Sequence, residues 1–156
     1  MVSNSDLINL YSQQILALAA MIPYTERLEN PDATSKKRSP LCGSNITVDL
    51  NVTDGRVSAF GQDVKACALG QAAASIIGVN VIGRTYEDLE RARNQLSAML
   101  KSDGPIPEAP FDRLEVLLPA KEYKNRHASI MLCIEASLEA FENAQKNAAT
   151  PKGAAK

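Results

Sequence analysis

The chain has 156 residues, 45% of them apolar and 22% charged, and its 17 Lys and Arg against 18 Asp and Glu leave a net charge of −1. That length suits a single domain able to bury a core without disulfide staples. The balanced charge argues against a nucleic acid or an anionic membrane as the main partner, and no apolar run approaches the roughly 18 residues of a membrane span.

Apolar residues at three- and four-residue spacing, among them Leu7, Leu10, Tyr11 and Leu18, predict a helix over 6–20 with Ser5 or Asp6 as its cap and Pro23 beyond its end. Residues 30–40 are polar and rich in turn formers, and read as a solvated loop with room for a short edge strand. Ile46, Val48, Leu50 and Val52 then alternate with Asn45, Thr47, Asp49 and Asn51, the period-two pattern of a half-buried strand. Asp54-Gly55 marks a hairpin turn, and the returning strand carries Val57, Ala59 and Phe60 toward Val64. Two strands alone make a marginal sheet, so helices must cover one face.

Cys67 opens a small-residue helix over 67–79. Thr85 and Asp88 form a capping-box variant ahead of a helix over 86–101, whose apolar stripe is Leu89, Ala92, Leu96, Met99 and Leu100. Asp103-Gly104-Pro105 ends it. A short helix begins at Pro110 and Phe111, runs through Leu114, Leu117 and Leu118, and is broken by Pro119. The last helix, over 122–142, sets Ile130, Ile134, Leu138 and Phe141 on one face. Residues 143–156 are small, polar and basic; they are expected to be a disordered tail, leaving 1–142 as the domain. Strands lie in the first half and helices in the second, without βαβ alternation. The expected class is therefore α+β, a small antiparallel sheet covered by helices on one side.

The chain has three cysteines and one histidine. An odd number of widely spaced cysteines does not make a disulfide framework, and the start, Met1-Val2-Ser3-Asn4-Ser5-Asp6, lacks the basic region of a secretory signal. A reducing cytoplasm is the expected location. Cys42, in Pro40-Leu41-Cys42-Gly43-Ser44, enters the first hairpin strand, and Cys67 follows the second. The hairpin should therefore fold both thiols to one end of the sheet, with sulfurs roughly 4–8 Å apart and able to share a metal at about 2.3 Å each. At the head of its helix Cys67 meets unpaired N–H groups and the positive dipole end, a setting that suits thiolate chemistry. His127 stands near the start of the last helix as a possible nitrogen ligand, balanced by the plainer reading of a locally hydrogen-bonded histidine. Cys133 follows His127 by six residues, about 9 Å along a helix and roughly 240° around it, which favours a structural role.

These residues in these settings resemble the NifU/IscU/SufU scaffolds on which iron–sulfur clusters are built, over residues 7–141. In that family an N-terminal helix precedes a cysteine-glycine pair and a β-hairpin. A second cysteine heads a small-residue helix, and a third opens the last helix. The long segment between Cys67 and His127 resembles the SufU branch, whereas a histidine at 127 is the IscU-like choice. Three departures stand out: Ala128 replaces the third cysteine, Ser44 replaces the aspartate of Cys-Gly-Asp, and Leu118-Pro119-Ala120-Lys121 is an altered form of the Leu-Pro-Pro-Val-Lys chaperone motif.

The resemblance implies a non-enzymatic scaffold or carrier that takes iron and sulfur, or zinc, transiently through Cys42, Cys67 and His127. Three strong ligands at most leave a fourth position to water, a substrate sulfur, a partner or a second copy of the chain. The implied partners are a cysteine desulfurase and other cluster-assembly proteins, with the chain itself a monomer or weak homo-oligomer. One alternative keeps the fold for binding an assembly partner without a cluster. Another is a thiol enzyme with Cys67 as nucleophile and His127 as base, which requires the two within about 3–4 Å.

Overall fold

The computed structural model describes residues 12–40 and 43–149. The hairpin forms as the alternation requires. Strand β2 (Asn45–Thr53) pairs antiparallel with β3 (Arg56–Lys65), from Asn45 opposite Lys65 to Thr53 opposite Arg56. Asp54 and Gly55 both take positive φ, 54° and 74°, the geometry of a type I′ turn that matches strand twist. A third strand, β1 (Ala33–Arg38), pairs antiparallel with β2 on its other side, so the order is β1-β2-β3. The polar stretch therefore does hold an edge strand; its lysines and arginine suit a sheet edge that must not recruit another chain.

Ile46, Val48 and Leu50 of β2 and Val57 and Phe60 of β3 are buried. Ala59, two residues after the buried Val57, is outside the core, because the register shifts at Asn51/Val52 and Asn51 pairs with Ala59 while Val52 pairs with Val57. This β-bulge changes which residues point inward, something strict alternation cannot anticipate.

Helix α1 (Gln13–Ala20) starts at Ser12, whose hydroxyl accepts from the Ile15 N–H at 3.3 Å. The expected helix over 6–20 thus has a start at Ser12, because that hydroxyl satisfies an otherwise unpaired first-turn N–H; residues 6–11 lie outside the described residues. Helix α2 (Ala68–Val81) is almost entirely buried and packs against α1 and against the last helix, α4 (Lys124–Ala149). Helix α4 also lies across β1 and β2. Helix α3 (Tyr86–Lys101) buries the whole expected stripe, and Thr85 and Asp88 cap it reciprocally, at 3.1 Å and 3.0 Å. The α+β class, helices on one face of a small antiparallel sheet, is as expected.

Two helix boundaries differ from the sequence reading. The segment Asp112–Glu122 is a 3₁₀-helix that continues through Pro119. Its buried residues are Leu114, Leu117 and Ala120, a repeat of three that fits three residues per turn, while Leu118 is exposed. The last helix runs to Ala149, so residues 143–149 are helical where a disordered tail is expected. Ala144 is buried there, and Asn147 donates to the Asp32 carbonyl at 2.9 Å. These contacts, in an alanine-rich stretch of high helix propensity, hold the extra two turns. Residues 150–156 lie outside the described residues.

Opposite the helices, residues 23–30 cross the outer face of the sheet. The Gln62 N–H donates to the Tyr24 carbonyl at 2.8 Å. Asp49, buried on that face, accepts from Arg27 Nε at 2.6 Å, Arg27 Nη2 at 3.1 Å, the Leu28 N–H at 3.1 Å and Thr34 Oγ1 at 2.5 Å.

Candidate metal centre

Pairing of Asn45 with Lys65 brings the start of β2 and the end of β3 to one end of the sheet. Beyond Lys65 the chain turns at Cys67, which is the N-cap of α2 with extended backbone (φ −67°, ψ 169°). Its side chain makes no capping bond, so the thiol is free to face outward from the helix. Cys67 is half-buried, and its Sγ lies 3.5 Å from Ser129 Oγ on α4. Ser129 Oγ in turn donates to Ser44 Oγ at 3.1 Å, just ahead of β2. Ser44 and Ser129 are both buried. Cys42, two positions before Ser44 in the chain, lies outside the described residues, as does its expected distance from Cys67.

His127 is buried in the first turn of α4, with Nε2 3.0 Å from the Ala120 carbonyl oxygen and 3.1 Å from that of Lys121. Two carbonyl partners require the proton on Nε2, which leaves the ring's lone pair on Nδ1. A ligating histidine commonly donates its other ring nitrogen to a carbonyl in this way, and so does a purely structural one. His127 and Ala128 line an open cleft of about 510 Å³ together with Leu100, Lys101, Lys121 and Lys124. Lys121 Nζ is paired with the Asp103 carboxylate.

Cys133 is apart from these groups. It is buried on α4, its thiol donates to Gln62 Oε1 at 3.4 Å, and burial pushes its pKa up to about 12. A neutral thiol in a packed interior is a structural group. Among the described residues, no three Cys, His, Asp or Glu side chains are grouped so as to hold a metal ion. Among the described residues, the polar partner of the Cys67 thiol is the Ser129 hydroxyl.

Sequence reasoning missed Ser129. Its signal was Gly70, three residues after Cys67 and so on the same helix face. A methyl group at position 70 would come within 2.6 Å of Ser129 Oγ and 3.0 Å of the Ser129 carbonyl oxygen. Glycine there lets α4 approach closely enough to present its hydroxyl to the thiol.

A three-stranded antiparallel meander, helices on one face and a half-buried thiol at the head of the central helix define a class of small α+β scaffold domain. No protein-family model matches the sequence. A NifU-like protein from Brucella abortus, solved as its N-terminal part, shares 39% identity, with 90% of this chain and 98% of that one covered and a TM-score of 0.88. The chain belongs to the IscU/NifU-like scaffold family. The iron–sulfur cluster assembly scaffold protein IscU of Thermotoga maritima is 23% identical over 133 residues, 85% of this chain and 93% of that protein. A protein described as an iron–sulfur cluster assembly scaffold for the SUF system, from Fervidobacterium islandicum, shares the fold with a TM-score of 0.78 at 16% identity, covering 86% and 98% of the two chains. The family is one of non-enzymatic scaffolds.

Proposed function

We propose that this protein is a scaffold or carrier in iron–sulfur cluster assembly, with Cys67 as its anchoring thiolate and Cys42 and His127 as further ligands. The carrying observation is the place of Cys67: a half-buried thiol at the end of the sheet, on a fold shared with a NifU-like protein at 39% identity. The cluster or its iron and sulfur are cargo here, and zinc is the other ion that two thiolates and an imidazole would take. With Ala128 where the family places its third cysteine, the ligand set is open. Such a site holds its cargo transiently and needs a ligand from outside to complete it. The partners of this function are a cysteine desulfurase and further assembly proteins, with which the chain works as a monomer or weak homo-oligomer. Free thiols at Cys67 and Cys133 suit a reducing compartment, and the cytoplasm is the proposed location.

A second reading has one observation in its favour, the lack of a three-ligand group among the described residues. In it the fold serves to bind an assembly partner and holds no cluster.

Anaerobic reconstitution with iron and sulfide, or loading with zinc, followed by metal analysis and competition with a chelator separates the two. The parent should retain metal, Cys67→Ala should lose it, and Ala128→Cys should hold it more tightly by restoring a thiolate. Equal retention by parent and Cys67→Ala, with no gain from Ala128→Cys, would favour the partner-binding reading.

A further inference from the structure

Three side chains from three parts of the fold meet beside the candidate centre. Ser129 Oγ donates to Ser44 Oγ at 3.1 Å and stands 3.5 Å from Cys67 Sγ. A hydroxyl has a single proton: while Ser129 gives its own to Ser44, its oxygen can only accept from the Cys67 thiol. Ser129 is buried, and the close approach of α2 and α4 at Gly70 holds its hydroxyl in place.

We propose that Ser129 is a positioning residue for Cys67: when the thiol binds a metal ion, the Ser129 hydroxyl turns its proton from Ser44 to the bound sulfur. The inference rests on the metal-binding reading given above. Metal binding releases the thiol proton to solvent and joins Sγ to the metal, so the sulfur changes from hydrogen-bond donor to acceptor. Rotation about the Ser129 Cβ–Oγ bond breaks the hydrogen bond to Ser44 and makes one to Sγ. Apart from the S–H bond lost and the metal–sulfur bond gained, no covalent bond changes. The new bond fixes the direction of Sγ and draws negative charge from it, the role that outer-shell donors play at metal centres.

The test is titration of the full chain with cobalt(II), anaerobically, reading affinity by chelator competition and the sulfur-to-cobalt charge-transfer band by absorption. Ser129→Ala should bind cobalt roughly 10–100-fold more weakly than the parent. Its band should also move to longer wavelength, because a sulfur without a hydrogen bond gives up charge more readily. Ser129→Thr keeps the hydroxyl and should restore both. Ser44→Ala removes the bond that Ser129 has to break, so it should bind cobalt more tightly than the parent, with the band where the parent has it. That variant decides the matter even if Ser129→Ala fails to fold. Ser129→Ala matching the parent in affinity and band overturns the inference and leaves the metal-binding reading standing. So does an equal weakening in Ser129→Ala and Ser44→Ala with the band unmoved, or a Ser44→Ala that binds cobalt no more tightly than the parent. A parent that binds cobalt no better than Cys67→Ala overturns the metal-binding reading, and the inference with it.

Discussion

Asp49 is a carboxylate on the outward-facing side of a strand, and its side chain is fully buried. A charge in that position is tolerated because the segment crossing the sheet supplies donors to it, two nitrogens of Arg27 and the Leu28 N–H, while Thr34 supplies a hydroxyl. Burial by itself pushes the Asp49 pKa up, but the bonds from Arg27, Thr34 and Leu28 outweigh it and hold the carboxyl below its ordinary value. The folded chain then binds fewer protons here than the unfolded one. The stabilisation is complete above the unfolded carboxyl's pKa, about 3.9, and drains away as pH falls through the lower folded value. Asp49→Asn should cost roughly 1–3 kcal/mol at pH 7 through weakened charged hydrogen bonds. Urea unfolding at pH 7 and at pH 3 should show the gap between parent and variant narrowing in acid. A constant gap would mean that the charge is not what matters. In the sequence, Asp49 reads only as a polar member of an alternating strand, since Arg27 is far from it along the chain.

Among the elements, those whose signals are local came out as the sequence reads them. Helix α3 has its limits at Tyr86 and Lys101 because a cap, an apolar stripe and a glycine-containing exit all lie within one window. Thr85→Ala removes the hydroxyl that accepts from the Asp88 N–H and should cost about 1 kcal/mol. Thermal or urea unfolding measures it; a loss near zero would show that Asp88 alone sustains the cap. Elements whose signals are not local are only partly legible in the sequence. The edge strand β1 is polar and became definite only by pairing with β2. The 3₁₀ segment passes Pro119 because its apolar residues repeat every third position, a period that a search for α-helical spacing does not weigh. The last two turns of α4 depend on contacts with Asp32 and the core, more than 100 residues away in sequence.

For the molecule as a whole, the spacing between α2 and α4 governs the candidate centre, and Gly70 sets that spacing. Helix propensity alone would reward Gly70→Ala by about 1 kcal/mol. Against this, the added methyl would stand 2.6 Å from Ser129 Oγ and 3.0 Å from the backbone oxygen of Ser129, which cannot simply swing aside. Overpacking of this kind typically costs about 1–3 kcal/mol, so the clash should win and the variant should unfold at lower urea concentration. A stabilised Gly70→Ala would show that the two helices can part cheaply.

The sequence by itself determined the fold class, the hairpin and the head of the central helix, because alternation, turn chemistry and caps act over a few residues. It also carried the family likeness, through two cysteine loops and a histidine in recognisable settings, and it marked position 128 as lacking the thiol expected there. Only the tertiary structure decided what stands around Cys67. Ser129 lies 62 residues away in the chain and Ser44 lies 85 residues from Ser129, and neither has a sequence pattern that ties it to the thiol. Their meeting depends on strand register and on a helix contact permitted by one glycine. Hydrogen bonds reach about 3 Å in space whatever the separation along the chain, so such a group becomes visible only when the chain is folded.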